Sequence, residues 1–181
     1  MTGIKGQKHN EYIAGRYAHV NPNDIVFTPD WLAKRICEIF PITGKTLEPC
    51  KGEGVFLKYL PQNTDWCEIA DEKNYYDYHK KVDWIVTNPP YSDFNRFLGH
   101  SFALADNIVL LVPMAKMFKS MGTLKSIFGY GGIVSIYLLP ASRAGFPFGF
   151  PCGIYYMKRS YQEKTEIKLL EYIDEPLLNL E

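Results

Sequence analysis

The sequence predicts an α/β fold with an open sheet, and three observations carry that prediction. Short apolar, partly β-branched runs alternate with segments whose apolar residues recur at helical spacing. Thr46-Leu47-Glu48 runs into Pro49-Cys50-Lys51-Gly52-Glu53-Gly54, a glycine loop of the kind that joins a strand to a helix. Asp83-Trp84-Ile85-Val86-Thr87 stops abruptly at Asn88-Pro89-Pro90-Tyr91. Proline cannot donate to a sheet ladder, and it biases the residue before it towards extended geometry. In open α/β sheets ligands sit at the carboxyl ends of strands, so both turns are candidate sites.

The composition bounds the function. A chain of 181 residues with 46% hydrophobic and 22% charged residues reads as one globular domain with a full core. Apolar runs such as Ile108-Val109-Leu110-Leu111-Val112 are far too short to span a membrane. No apolar segment follows Lys5, Lys8 and His9 as a signal peptide requires, so the expected location is the cytoplasm. Cys37, Cys50, Cys67 and Cys152 are widely spaced, and with the four histidines they form no recognisable metal site; free buried thiols are expected. The formal net charge of zero excludes a globally basic nucleic-acid binder.

Taken in order, residues 1–24 are polar and turn-rich and read as an N-terminal arm, either a disordered tail or a lid, before a single domain over 25–181. Trp31, Leu32, Ile36, Ile39 and Phe40 recur as one helical face, with Thr28 as N-cap, Pro29 at the first helical position, Asp30 favoured by the helix dipole, and Pro41 as the stop. A strand ends at Glu48, and after the glycine loop a helix is predicted to start at Val55-Phe56-Leu57. Residues 65–70 form a second strand. Glu68, about twenty residues beyond Glu48, has the spacing of an acid that holds ribose hydroxyls, with Asp71 as the rival. The run from Asn74 to His79 reads as a polar aromatic loop. After Tyr91, Phe94, Phe97-Leu98, Phe102 and Ala103-Leu104 fit an amphipathic helix. Asn107 to Pro113 is a buried strand, Met114 to Phe128 is helical with Met114, Met117 and Met121 as a core stripe, and residues 133–139 and 153–157 are strands. The tail from Lys164 supplies a final strand or a packing extension.

The turn at Asn88 suits a particular chemistry. The Asn88 side-chain carbonyl and the Pro89 main-chain carbonyl together accept both hydrogens of an NH2 group, and Tyr91 stacks on its planar carrier. Between residues 145 and 150, Phe146, Phe148 and Phe150 lie among Gly and Pro. They are either core anchors or an aromatic wall for a base, where stacking contributes about 1–3 kcal/mol. Between Met114 and Gln162 there are Lys116, Lys119, Lys125, Arg143, Lys158 and Arg159 and no acid, which predicts one basic face around that loop.

Asn88-Pro89-Pro90-Tyr91, directly after an apolar strand, resembles the Asn-Pro-Pro-Tyr motif of S-adenosylmethionine-dependent amino-methyltransferases, which methylate adenine N6 and, in other branches, glutamine amides. Residues 48–57 are similar to that family's Asp-Pro-x-x-Gly-x-Gly…Phe-Leu pattern, with Glu48 in place of Asp and a bulkier Lys51. Asp77-Tyr78 matches the family's acid-aromatic pair, and Thr28-Pro29 its Thr-Pro before the first strand. The resemblance covers the chain from Phe27 to about Tyr156. It implies a Rossmann-like class I fold: a mostly parallel seven-stranded sheet with an antiparallel last hairpin and helices on both faces. It also implies S-adenosylmethionine bound by Thr28, Pro29, Glu48, Pro49, Gly52, Gly54, Glu68, Ile69, Asp77, Tyr78 and Asn88. The catalytic group would be Asn88, Pro89, Pro90 and Tyr91, with Tyr91, Phe146, Phe148, Phe150, Arg143 and Lys116 on the substrate and no metal. Adenine N6 in DNA is the expected target, and RNA adenine or protein glutamine the alternative. Neither the gap between the glycine loop and Asn88 nor the short tail has room for the separate target-recognition region usual in the family's DNA enzymes, so the expectation is either low site specificity or specificity from the arm or a partner subunit. A cofactor-binding module that depends on such a partner is the reading from another class.

Overall fold

The computed structural model describes residues 15, 17, 25–144, 149 and 151–170. The expected arm therefore lies outside the described residues apart from Gly15 and Tyr17, as do Phe146, Phe148 and Phe150.

Helix α1 (Asp30–Ile39) buries Leu32, Ala33 and Ile36. It starts one residue later than expected: the Pro29 carbonyl accepts from the amides of Leu32 and Ala33 at 3.0 and 3.1 Å, and Thr28 does not cap it. The Thr28 hydroxyl accepts from Asn88 Nδ2 at 3.2 Å, which commits it to the site instead of the helix. Phe40 turns extended at φ −108°, ψ 140°, as the following Pro41 demands.

Strands β1 (Thr46–Glu48), β2 (Asp65–Trp66), β3 (Val82–Thr87), β4 (Ala105–Pro113), β5 (Gly131–Leu139), β6 (Cys152–Arg159) and β7 (Glu166–Leu169) form one sheet in the order β2-β1-β3-β4-β6-β5-β7. Only β6 runs against the others; it returns from β5 and inserts between β4 and β5, antiparallel to both. The tail thus supplies a strand, β7, parallel to β5. Between the strands lie α2 (Phe94–Leu104), the one-turn α3 (Met114–Met117) and α4 (Met121–Tyr130).

Alternation along β6 shows how the two faces are covered. Tyr155 is fully buried, with its ring 6.0 Å from Phe118 at the α3–α4 junction. Tyr156, on the other face, packs on Phe40 at the end of α1 (5.3 Å) and stacks on Trp84 of β3 (5.5 Å). Side chains buried from both faces explain why β3 and β4 read as nearly continuous apolar runs.

Three local expectations are corrected. The helix after the glycine loop is a single 3-10 turn, Phe56–Lys58, because Pro61 arrives before a second turn can form. β2 stops at Trp66, since the Glu68 side chain accepts from the Ala70 amide and caps a 3-10 turn, Ile69–Asp71. Of the methionine stripe Met117 is fully buried and Met114 packs half-buried against the core, but Met121 does not join them. The break between α3 and α4 ends the helical period, and Met121 is 67% exposed.

The basic stretch is also divided. Lys116 and Lys119 lie beside Tyr91, whereas Arg159 pairs with Asp106 at 2.6 Å and bonds the carbonyls of Phe102 and Ala105, at the opposite end of the sheet. Lys158 faces Asn107 at that same end. A strand of eight residues carries its two ends some 25 Å apart, so acids absent from the sequence stretch do not make one face of its lysines.

Candidate active site

The carboxyl ends of β1 and β3 deliver the two sequence-predicted turns to one cleft of about 290 Å3. Asn88, Pro90, Pro49, Gly52, Glu68 and Ile69 all line it. Its volume is close to the lower end for small-ligand pockets, roughly 300–1,000 Å3.

The glycine loop is held by Glu68. Its carboxylate accepts from the Gly52 amide at 2.6 Å and from the Ala70 amide at 3.1 Å, and only 5% of the residue is exposed. Gly52 and Gly54 adopt φ of +55° and +81°, in the left-handed region where a side chain is strained. Lys51 points away from the cleft, pairing with Asp71 at 2.5 Å and lying 3.8 Å over the Trp66 ring. Glu68 and Asp71 are thereby distinguished: Glu68 lines the cleft, and Asp71 is held by Lys51.

Glu48 lies beneath the cleft, fully buried. Its Oε1 accepts from the Thr87 hydroxyl and from the Cys50 amide at 3.0 Å, while Oε2 has no hydrogen-bond partner among the described residues. Its pKa is raised to about 8, chiefly by burial, with nearby Glu68 adding to the rise and the Thr87 and Cys50 hydrogen bonds opposing it. The unfolded chain ionises this group near 4.5, so the folded state loses stability as pH rises from there through about 8. Below 4.5 the penalty is absent. Glu48→Gln, which cannot ionise, is expected to match the parent's melting temperature at pH 5 and exceed it at pH 8.5, followed by thermal denaturation across pH. Equal differences at both pH values would refute the assignment.

At the second turn, Asn88 Nδ2 donates to the Val26 carbonyl at 3.0 Å and to Thr28 Oγ1 at 3.2 Å. A main-chain carbonyl can only accept, which fixes the amide so that Oδ1 is turned away from Val26 and Thr28 as the acceptor. The Tyr91 hydroxyl donates to that Oδ1 at 2.5 Å. Pro89 is buried beside it, and Tyr91 is 6% exposed. On its other side Tyr91 lines a separate cavity of about 130 Å3 together with Asp93, Asn95, Lys116 and Lys119. Thr28 lines a small recess that shares Gly52 and Asn88 with the main cleft.

The remaining predicted residues do not converge on the cleft. Asp77 is exposed, the Tyr78 hydroxyl donates to Asp65 at 2.7 Å, and neither lines it. Pro29 and Gly54 do not line the cleft and stand next to Thr28, Glu53 and Val55 of the small recess, and Arg143 is exposed beyond the end of β5. The wall beside Glu68, which is bridged to Lys73, comes instead from Asn74, Tyr75 and Tyr76, in the stretch expected to be a polar aromatic loop. Their signal was Asn74 before two tyrosines: its side chain accepts from the Tyr76 amide and caps a 3-10 turn, Tyr75–Asp77. Tyr75 shares a buried hydrogen bond with Ser101, and His100 Nε2 lies 3.1 Å from the carbonyls of both Tyr75 and Tyr78, so α2 supports this wall. Val26 and Phe27 close the cleft from the segment before α1. Burial pushes the Cys67 thiol up to about 11 and that of Cys152 to about 12, which makes neither a nucleophile near neutral pH.

No family model and no curated protein matches the sequence. Solved structures do match the fold. The chain is similar to a candidate class I S-adenosylmethionine-dependent methyltransferase from Listeria monocytogenes, at 14% identity and a TM-score of 0.61, covering 96% of this chain and 74% of that one. It is similar to the methyltransferase subunit of a type I restriction-modification system from Streptococcus thermophilus (18% identity, TM-score 0.57), covering 89% of this chain and only 51% of that one. It is also similar to a candidate RNA methyltransferase from Pyrococcus horikoshii (15% identity, TM-score 0.51), covering 71% and 80%. With the mixed seven-stranded sheet and its antiparallel hairpin, these likenesses make the fold that of the Rossmann-like class I methyltransferases. Among the described residues no helix is long and apolar enough to cross a membrane.

Proposed function

We propose that this chain transfers a methyl group from S-adenosylmethionine to the exocyclic N6 of adenine in DNA. The observation that carries the reading is Asn88: its amide is fixed by Val26 and Thr28 so that Oδ1 stands as an acceptor at the edge of the cleft. The residues present fit the cofactor. Glu68 keeps lone pairs beyond the two amides it accepts, which suit a ribose diol. Ile69 and Tyr76 give apolar surface for a purine, and the Gly52 turn admits a ligand close to the backbone. When bound, the cofactor supplies an electrophilic methyl carbon on a sulfonium.

The protein's part is to hold the amine. Asn88 Oδ1 and the Pro89 carbonyl accept its two hydrogens, which localises the nitrogen lone pair and orients it towards the cleft. Tyr91 already occupies one lone pair of Oδ1, so its hydroxyl stands where an N–H donor belongs. Tyr91 also supplies the aromatic face for the ring. Positioning of this kind supplies much of the rate, and a base in a duplex must first be flipped out at a few kcal/mol. Lys116 and Lys119 beside Tyr91 suit the phosphates that flank a flipped nucleotide. The likeness to a restriction-modification methyltransferase subunit, of which this chain spans half, supports target selection by a partner. Glu48, Asp77, Tyr78, Pro29 and Gly54 remain cofactor-side residues of the proposal, acting on the loops that line the cleft.

Incubating the purified chain with methyl-labelled cofactor and separate DNA, RNA and protein pools tests the reading. Label on N6 of DNA adenine is the expected result. Label confined to RNA or to protein glutamine would overturn the DNA assignment, and cofactor binding without any transfer would mean that a partner is required.

A further inference from the structure

One surface lies outside the cleft and belongs to no part of the proposed function. β7 is the last strand on its side of the sheet among the described residues, and all four of its residues are exposed. Ile167 is 66% exposed and Leu169 77%. The Leu170 amide donates to the Leu138 carbonyl at 2.9 Å, so residues 166, 168 and 170 turn their backbone groups towards β5. Backbone groups alternate along a strand, and those of Thr165, Ile167 and Leu169 therefore point outwards from the edge. The side chains alternate as well. Lys168 lies over the Tyr137 ring, which packs on Phe40 of the α1 face, and Glu166 shares that face. Ile167 and Leu169 project from the other, beside α4. An exposed strand edge with apolar side chains is a template for pairing.

We propose that β7 is a homotypic docking edge, on which a second copy of this chain pairs its own β7 antiparallel with Ile167 opposite Ile167. Backbone parity and charge together fix this register. In an antiparallel pair the residues whose N–H and C=O point outwards must face one another. Three central registers satisfy this for β7, centred on Glu166, Ile167 or Lys168. The first sets Glu166 against Glu166 and the third sets Lys168 against Lys168, and like charges directly opposite are destabilising. The register centred on Ile167 sets Glu166 against Lys168 twice, in the closer, non-hydrogen-bonded pairs. It also brings the two Ile167 side chains together on the apolar face.

Helix α4 adds to that face. The Thr123 hydroxyl donates to Asn95 and the Tyr130 ring stacks on Phe102 at 4.3 Å, so this side of α4 is turned to α2. At 100° per residue Leu124 and Phe128 fall on the opposite flank, towards β7, and Phe128 is 60% exposed. In the paired molecule the strands of the second copy run the other way. The two clefts then open at opposite ends of the joined sheet, and pairing leaves both accessible.

Sedimentation of the full chain at roughly 10–100 µM tests the proposal, because an interface of this size falls at the weak end of specific association. The parent is expected to dimerise with concentration. Glu166→Lys alone and Lys168→Glu alone are each expected to weaken the dimer at least tenfold, since each sets like charges opposite one another at both contacts. An equimolar mixture of the two variants is expected to restore it, because every contact in the mixed pair again joins opposite charges. A parent that stays monomeric, single variants that stay dimeric, or a mixture no better than its components would each overturn the proposal. Restoration in the mixture has no explanation in an intrachain role for the two side chains.

Discussion

Asn88→Ala is expected to lower kcat for methyl transfer by about 10²–10³-fold, the scale on which removal of one preorganised polar contact to a reacting group acts. Affinity for S-adenosylmethionine is expected to change less than about tenfold. The split follows from the geometry. Asn88 Oδ1 accepts from Tyr91 and is the proposed acceptor for the substrate amine, and its amide hydrogens hold Val26 and Thr28. Alanine removes both, and the second loss loosens the Val26–Phe27 wall of the cleft. Thr28→Val separates the two contributions. It removes one acceptor of the amide and leaves Oδ1 in place, so it is expected to share the small affinity loss without the large kcat loss. Single-turnover rates and calorimetric cofactor binding on both variants measure the split. Equal losses of rate and affinity in Asn88→Ala would mean that the turn serves the wall alone.

Glu68→Ala carries the second large effect, on the cofactor instead of the rate of transfer. A hydrogen bond to a charged group contributes about 1.5–3 kcal/mol, so loss of the carboxylate proposed to hold the ribose is expected to weaken cofactor binding about 10–100-fold. The same change leaves the Gly52 and Ala70 amides without their acceptor and costs about 1–3 kcal/mol of stability. Glu68→Gln retains one acceptor oxygen and is expected to recover much of the stability and little of the affinity. Titration calorimetry and urea denaturation distinguish the two quantities. Lost stability with unchanged cofactor affinity would reduce Glu68 to a brace for the loop.

Much of the site was legible because its signals are local. Pro89 and Pro90 end β3 wherever the strand lies, and Gly52 and Gly54 take the positive φ that their loop requires. Glu68 was legible from its distance to Glu48 because strand and loop lengths in such folds vary little. Where local signals misled, a long-range partner had intervened. Thr28 is a good N-cap by residue type, yet Asn88, sixty residues away, takes its hydroxyl. The 65–70 run has strand composition, yet the Glu68 carboxylate that accepts from Gly52, sixteen residues back, also caps a 3-10 turn in its second half. The Tyr75–Tyr76 wall was not legible because its support, Ser101 and His100, comes from α2, about 25 residues further along the chain.

The sequence by itself determined the alternation of strands and helices, the two turns that meet at the cleft, and the polar chemistry of Asn88. Those features rest on backbone restrictions and on apolar periodicity within a few residues. Only the tertiary structure decided that β6 inserts between β4 and β5, that Glu68 and not Asp71 lines the cleft, and that Glu48 is sealed beneath it. It also decided that Lys116 and Lys119 stand by Tyr91 while Arg159 lies at the far end of the sheet. Burial and charge pairing depend on which segments meet in space, and residues tens of positions apart in the chain settle that only when the sheet closes around them.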